Sequence, residues 1–176
     1  MDHGDHVNLL RPVSLSQGIY ADFGAGSGAF TLALRELVGL NATIYAVDKD
    51  RSALNKLEAN HRARFNTDRN LIQLSNDFSR PLNLPPLDGI VMANSLHYFK
   101  KKEKILRHVR EFLKPNGALI IVEYNVDSGN FWVPHPLTFE TFHSLAPRAG
   151  FTEPTLLAKV PSSFLKEFYS AAAYRA

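Results

Sequence analysis

Residues 19–34 read Ile-Tyr-Ala-Asp-Phe-Gly-Ala-Gly-Ser-Gly-Ala-Phe-Thr-Leu-Ala-Leu, and this stretch decides the fold. An apolar strand from Gly18 to Phe23 runs into the turn Gly24-Ala25-Gly26-Ser27-Gly28. Beyond it, Phe30, Ala33, Leu34, Leu37 and Val38 recur at helical spacing. Glycine tolerates positive φ in a tight strand-to-helix turn, and without a Cβ it lets a ligand touch the backbone. The first amides of the following helix are unpaired and lie at the positive end of its dipole, so they suit a carboxylate or a phosphate.

Two acids narrow the choice. Asp22 sits two residues before Gly24, at the carboxyl end of the strand, where it repels a phosphate and welcomes a cation. Asp48 follows Gly28 by twenty residues and ends the apolar run Ala42 to Val47. An acid at the tip of a second strand is placed to accept hydrogen bonds from ribose hydroxyls. A ligand with a ribose, a positive centre and a carboxylate, but no phosphate, is S-adenosylmethionine.

On these residues the chain resembles the class I S-adenosylmethionine-dependent methyltransferases. Asp22-Phe23-Gly24-Ala25-Gly26-Ser27-Gly28 is similar to that family's first motif, and Val47-Asp48-Lys49-Asp50 to its second. The resemblance implies a cofactor site made of Asp22, Gly24, Ala25, Gly26, Ser27, Gly28, Asp48 and Lys49. It adds Asp77 and Phe78, after the third strand, as the acid and apolar residue against the adenine, and Asn94 at the tip of the fourth. Amino-group methyltransferases acting on adenine or cytosine carry Asn-Pro-Pro-aromatic at that tip; here Ser95-Leu96 replace the prolines, and the pattern resembles the small-molecule branch.

The rest of the chain alternates strand and helix without hairpin turns, which reads as a parallel sheet with crossover helices. The second strand is Ala42 to Asp48, and Asp50 caps a helix with Ala53, Leu54, Leu57, His61 and Phe65 on one face. The third strand spans Leu71 to Leu74 and the fourth Asp88 to Ala93. A helix burying Ile105, Leu106, Val109, Phe112 and Leu113 stops at Lys114-Pro115-Asn116-Gly117, where Gly117 is expected to take positive φ. Ala118 to Tyr124 follows as a fifth strand, then a helix begins at Thr138 and stops at Gly150. Thr155 to Val160 and Phe164 to Tyr174 are joined by only Pro161-Ser162-Ser163, too short for a crossover, so they pair antiparallel. The resemblance implies a Rossmann-like, doubly wound α/β sheet of seven strands in the order 3-2-1-4-5-7-6, the last antiparallel. Residues 1–176 read as a single domain, with residues 1–17 as an N-terminal cover across the cofactor cleft.

Methyl transfer from a sulfonium requires alignment more than acid–base chemistry. His97 and Glu123 are the candidate catalytic residues, and Tyr98, Tyr124, Trp132 and His135 the candidate acceptor contacts. The aromatics of the loop 127–136 can either line an acceptor pocket or pin the loop to the core. Gly24 to Ala29 also satisfies Gly-x-Gly-x-x-Ala, so a nicotinamide-dependent oxidoreductase is an alternative, as is a non-catalytic S-adenosylmethionine-binding module.

Composition sets outer limits. Hydrophobic residues make up 45% and charged residues 21%, ordinary for a globular domain. With no cysteine there is neither disulfide nor thiolate metal site, and His3 and His6 lack convergent partners, so no metal is expected. The Lys100-Lys101-Lys102 cluster reads as the solvated face of a helix, and the net charge of +3 is mild, so no nucleic acid is expected. No apolar run approaches the ~20 residues of a membrane span, and the polar N-terminus resembles no targeting signal. The expectation is a cytoplasmic enzyme without membrane contact, acting on a small-molecule acceptor, its oligomeric state unread.

Overall fold

The computed structural model describes all 176 residues. The chain forms α1 (His3–Leu10), β1 (Ile19–Phe23), α2 (Ala29–Val38), β2 (Thr43–Asp48), α3 (Arg51–Phe65), β3 (Leu71–Ser75) and β4 (Leu87–Ala93). A single 3-10 turn (Leu96–Tyr98) then leads to α4 (Lys102–Arg110), β5 (Leu113–Tyr124), α5 (Phe139–Arg148), β6 (Thr155–Pro161) and β7 (Glu167–Tyr174). The seven strands form one sheet in the order β3-β2-β1-β4-β5-β7-β6. β1 pairs in parallel with both β2 and β4, while β7 runs antiparallel to β5 and to β6.

Strand alternation sorts the core into two layers, because successive side chains point to opposite faces. Ala21, Phe23, Ile90, Met92, Leu119 and Ile121 pack toward Ile105, Leu106 and Val109 of α4 and Phe142 and Ala146 of α5. Tyr20, Val91, Ala93, Ile120 and Val122 pack toward Val7, Leu9 and Leu10 of α1 and Phe30, Ala33 and Leu34 of α2. Leu54 and Leu57 of α3 close over Ala25 and Ala46. The order reverses at β1 and β4, so loops from their carboxyl ends diverge and leave a crevice, which is where open α/β sheets bind ligands.

Two boundaries, by more than one residue, and one turn residue differ from the sequence expectation. β5 begins at Leu113, which pairs with Leu87, so Leu113 belongs to the strand rather than to the preceding helix. Within it the residue with positive φ is Asn116, at 61°, not Gly117. Gly117 is a glycine for space: a Cβ there would lie 2.9 Å from the Lys114 carbonyl oxygen. β7 begins at Glu167 because residues 162–166 form a closed turn. Ser162 Oγ accepts the amides of Phe164 and Leu165, and the Ser162 amide donates to the Lys166 carbonyl at 2.7 Å.

The sequence reading places residues 1–17 across the cleft. They instead contain α1, capped reciprocally by Asp2 and Asp5, which packs on α2, β6 and β7; His6 lies against Phe30 with ring centroids 4.8 Å apart. Arg35 of α2 is buried and donates to the carbonyls of Gly39, Ala42 and Asn70 and to His61 Nε2. His61 Nδ1 in turn donates to the Thr67 carbonyl at 2.8 Å, so the ring is neutral, and burial pushes its pKa down. One guanidinium thereby ties the end of α2 to the starts of β2 and β3.

Candidate functional site

A cleft of ≈ 410 Å³ opens at the carboxyl ends of β1, β2, β3 and β4. Gly24, Gly26, Asp48, Lys49, Asp77, Phe78, Asn94, Ser95, Tyr98 and Phe99 line it.

The glycine turn forms its floor, and its three glycines do different work. A Cβ on Gly24 would meet Ser95 Cβ at 2.6 Å, and one on Gly28 would meet Leu57 Cγ at 2.7 Å, so these two allow wall and helix to close in. Gly26, at φ +51°, has nothing within 4 Å of where its Cβ would stand. That open space is a cradle a ligand can occupy, and the left-handed φ disfavours any other residue. α2 begins at Gly28 without a side-chain cap, and the amides of Ser27 and Ala29 have no partner in the chain. They remain available to an anionic group at the helix start.

Three acids surround that turn. Asp48 accepts the Gly26 amide on Oδ2 at 2.8 Å and the Asp50 amide on Oδ1 at 2.8 Å, so it shapes the turn while lining the cleft. Each carboxylate oxygen keeps a second acceptor site for a ligand hydroxyl. Asp50, as expected, caps α3 through the amides of Ser52 and Ala53. Asp77 accepts the amide and hydroxyl of Ser79. Burial pushes its pKa up, but these bonds, with Lys49 and Arg80 nearby, leave it below the usual carboxylate range and therefore ionised. Asp22 lies beneath the turn, buried, with Oδ2 taking the Thr31 hydroxyl at 2.6 Å. Desolvation pushes its pKa up to about 7, against the Thr31 hydrogen bond and with a smaller push from Asp48. A cation brought to this end of β1 meets a carboxyl group poised to ionise.

The opposite wall is Asn94 to Phe99. Asn94 takes a left-handed φ of 52°, and its Oδ1 and the Ser95 Oγ are buried without a partner. Buried polar atoms are nearly always hydrogen-bonded, so two orphans on one cleft wall mark where a ligand supplies the missing bonds. Phe78 stacks on Phe23 at 5.4 Å and meets Phe99 edge-on at 5.5 Å, giving an apolar slot beside Asp77.

Glu123, at the end of β5, holds this wall from behind. Its Oε1 accepts the amides of Leu96 and His97 at 2.9 and 3.1 Å, and its Oε2 meets His97 Nδ1 at 2.7 Å. Both side chains are buried and neither lines the cleft.

The structure therefore brings Gly24, Gly26, Asp48, Lys49, Asp77, Phe78, Asn94 and Tyr98 together in one lining, with Asp22 directly beneath. Ala25, Ser27 and Gly28 belong to the turn without lining the cleft; Ala25 packs under α3, and the Ser27 carbonyl accepts Asn60 Nδ2. Tyr124 packs on Phe168 with ring centroids 4.1 Å apart. His135 reaches the wall through its amide, which donates to the His97 carbonyl at 3.0 Å, and Trp132 stands in solvent. Ser95, next to Asn94, and Phe99, next to Tyr98, also line the cleft, and the sequence reading names neither as a contact.

The family described as "Methyltransferase domain" matches residues 21–119, more than half of the chain, and the protein belongs to that family. Among solved structures it is similar over 98% of its length to a candidate O-methyltransferase of Nostoc punctiforme, at 19% identity and a TM-score of 0.76. Human N-acetylserotonin methyltransferase, solved with S-adenosylmethionine, matches over 99% of this chain at 17% identity and a TM-score of 0.70. The chain spans 55% and 57% of those two proteins. A SAM-dependent methyltransferase from Aquifex aeolicus matches end to end, 100% of each chain, at 18% identity and a TM-score of 0.72. At these identities the likeness is one of fold. No curated protein matches the chain.

Proposed function

We propose that residues 1–176 act as one S-adenosylmethionine-dependent methyltransferase domain with a small-molecule acceptor. The observation that carries this reading is the cleft floor. An open glycine cradle and free helix-start amides are flanked by Asp48 and Asp77, with Asp22 buried beneath them. Such a floor accepts a carboxylate at the amides and a cation and hydroxyls at the acids, and it repels a pyrophosphate. This argues against the nicotinamide alternative.

In this reading Asp48 holds the ribose hydroxyls, Asp77 and the Phe78 slot hold the adenine, and Asp22 with Asn94 Oδ1 and Ser95 Oγ faces the cationic amino-acid end. Bound there, S-adenosylmethionine supplies an electrophilic methyl group for in-line attack by a nucleophile. The chain's own task is alignment, which by itself supplies several orders of magnitude in rate. Tyr98 stands on the wall at the acceptor side, with Tyr124 and His135 around it. Glu123 and His97 are positioning residues: the carboxylate fixes the amides of the wall and leaves His97 Nε2 as the free ring nitrogen.

The test is incubation with methyl-labelled S-adenosylmethionine and pooled metabolites. A small molecule gaining one labelled methyl group supports the reading. Tight cofactor binding with no labelled product from any pool favours the non-catalytic module.

A further inference from the structure

The loop between β5 and α5 carries the two most exposed large apolar side chains of the molecule. Phe131 is 87% exposed and Trp132 68%. They do not pin the loop to the core; Val133 does. Nor is their turn loose. Asn130 Oδ1 accepts the amides of Trp132 and Val133, and the Asn130 amide donates to the Val133 carbonyl. Gly129 sits so close behind that a Cβ would stand 2.4 Å from the Val133 carbonyl oxygen. The chain thus holds two rings out in water, packed edge-on against each other at 5.2 Å. Exposed aromatic surface on an ordered turn marks an interaction site.

The returning leg of the loop, Pro136 and Leu137, lines an open groove of ≈ 420 Å³ with Lys100, Lys101 and Lys104 at the start of α4. None of these three lysines forms an ion pair. Glu103, the one acid of the groove, is already held by Arg107 and Arg148 at 3.0 and 2.7 Å. Asp127 is the one acid on the loop. Trp132 lies four residues from Pro136, within ~13 Å of chain. The aromatic tip and the unpaired cationic groove are therefore close neighbours, and they form a rim that the His135 amide ties to the cleft wall at the His97 carbonyl.

We propose that this rim docks on an anionic phospholipid surface. Phe131 and Trp132 enter the boundary between headgroups and acyl chains, and Lys100, Lys101 and Lys104 face the lipid phosphates. A protruding tip with its rings packed on each other suits insertion into a fluid surface. Single-stranded nucleic acid needs separate, open ring faces along a groove, with bases stacked on each. An acidic protein would satisfy the lysines and leave the tip in water. No helix is long and apolar enough to cross a membrane, so the contact is peripheral. It departs from the sequence expectation of no membrane contact. It stands without the methyl-transfer reading; joined to it, the rim delivers a lipid-dissolved acceptor beside Tyr98.

Trp132 is the only tryptophan, so its fluorescence reports on the tip alone. The full chain, without cofactor, is titrated with vesicles of phosphatidylcholine alone and of phosphatidylcholine with phosphatidylglycerol. The emission is expected to shift to the blue with the anionic vesicles, to be quenched by brominated acyl chains, and to revert with added salt. Replacing Lys100, Lys101 and Lys104 together by alanine is expected to weaken partitioning roughly a hundredfold, about fivefold per lysine. Phe131→Ala, which keeps the probe, should weaken it about tenfold. All four positions are solvent-facing, and circular dichroism confirms that the variants fold. Emission that stays unshifted with anionic vesicles overturns the proposal. So does a response to single-stranded RNA or poly-glutamate with none to vesicles.

Discussion

Replacing Asp22 by asparagine separates what the fold needs from what the cleft needs. Burial raises the Asp22 pKa from 3.8 to about 7 in the folded chain. Between those values the native state keeps a proton that the unfolded chain has released, so the stability associated with Asp22 falls as pH rises through that window. Above about pH 7 the whole cost of holding a buried carboxylate is present. A shift of that size corresponds to roughly 4 kcal/mol, taking 1.36 kcal/mol per pKa unit. Asparagine is nearly isosteric, carries no charge and still offers an oxygen to the Thr31 hydroxyl. At pH 8 the variant is therefore expected to be more stable than the parent by up to ~4 kcal/mol, a rise on the order of 10 °C in melting temperature. At pH 5, where the parent's Asp22 is protonated, most of that gain vanishes. Binding moves the other way: without the ionisable group proposed to face the cationic end of the ligand, affinity for S-adenosylhomocysteine at pH 8 falls about tenfold or more. The assay is urea unfolding at both pH values, followed by calorimetric titration at pH 8. A variant whose stability tracks the parent equally at pH 5 and pH 8 refutes the buried, poised carboxyl.

Gly26→Val fills the cradle and forces a branched residue to φ +51°, so titration should show cofactor binding abolished, with ~1–2 kcal/mol of stability lost. Asp48→Ala removes the acceptor for the Gly26 and Asp50 amides along with the proposed ribose contact; affinity should fall ten- to a hundredfold and stability by ~1–3 kcal/mol. Normal affinity in the folded variant would move Asp48 from site to scaffold. Glu123→Gln keeps an acceptor for the wall amides but turns a donor toward His97 Nδ1; cofactor affinity by titration should hold while turnover drops. Arg35→Met strands three carbonyls and His61, so urea unfolding should show at least ~3 kcal/mol lost.

Local signals were the legible ones. Asp50 at a helix start, Thr138 before Phe139 and the glycine turn all act on neighbours in the chain, and all stand where the sequence placed them. The short connection after Pro161 gave the antiparallel pair, and the family resemblance gave the strand order. What escaped depends on pairs far apart in sequence. Glu123 reads as the end of an apolar strand, yet its job is done on residues 26 positions away. A carboxylate in a fully buried run was itself the available signal, since such a group requires donors. Arg35 carried the same kind of signal, one turn from Thr31 and beside Leu34 on the inward face of α2. The Asp48 carboxylate reads from the sequence as a ligand contact alone; that each of its oxygens also holds a backbone amide depends on where Gly26 comes to lie, 22 residues away. The Phe131–Trp132 pair was undecidable from composition, because exposure is set by the turn at Asn130 and not by the rings.

The cleft, with its open Gly26 cradle between Asp48 and Asp77, suits a phosphate-free nucleoside bearing an amino-acid tail. Titration calorimetry of the full chain with S-adenosylhomocysteine, set beside NAD and NADP under the same conditions, tests that fit most directly. Saturable one-to-one binding of S-adenosylhomocysteine, lost in Gly26→Val, with no heat from either dinucleotide, is the predicted result. Binding of NAD or NADP with none of S-adenosylhomocysteine would contradict the account.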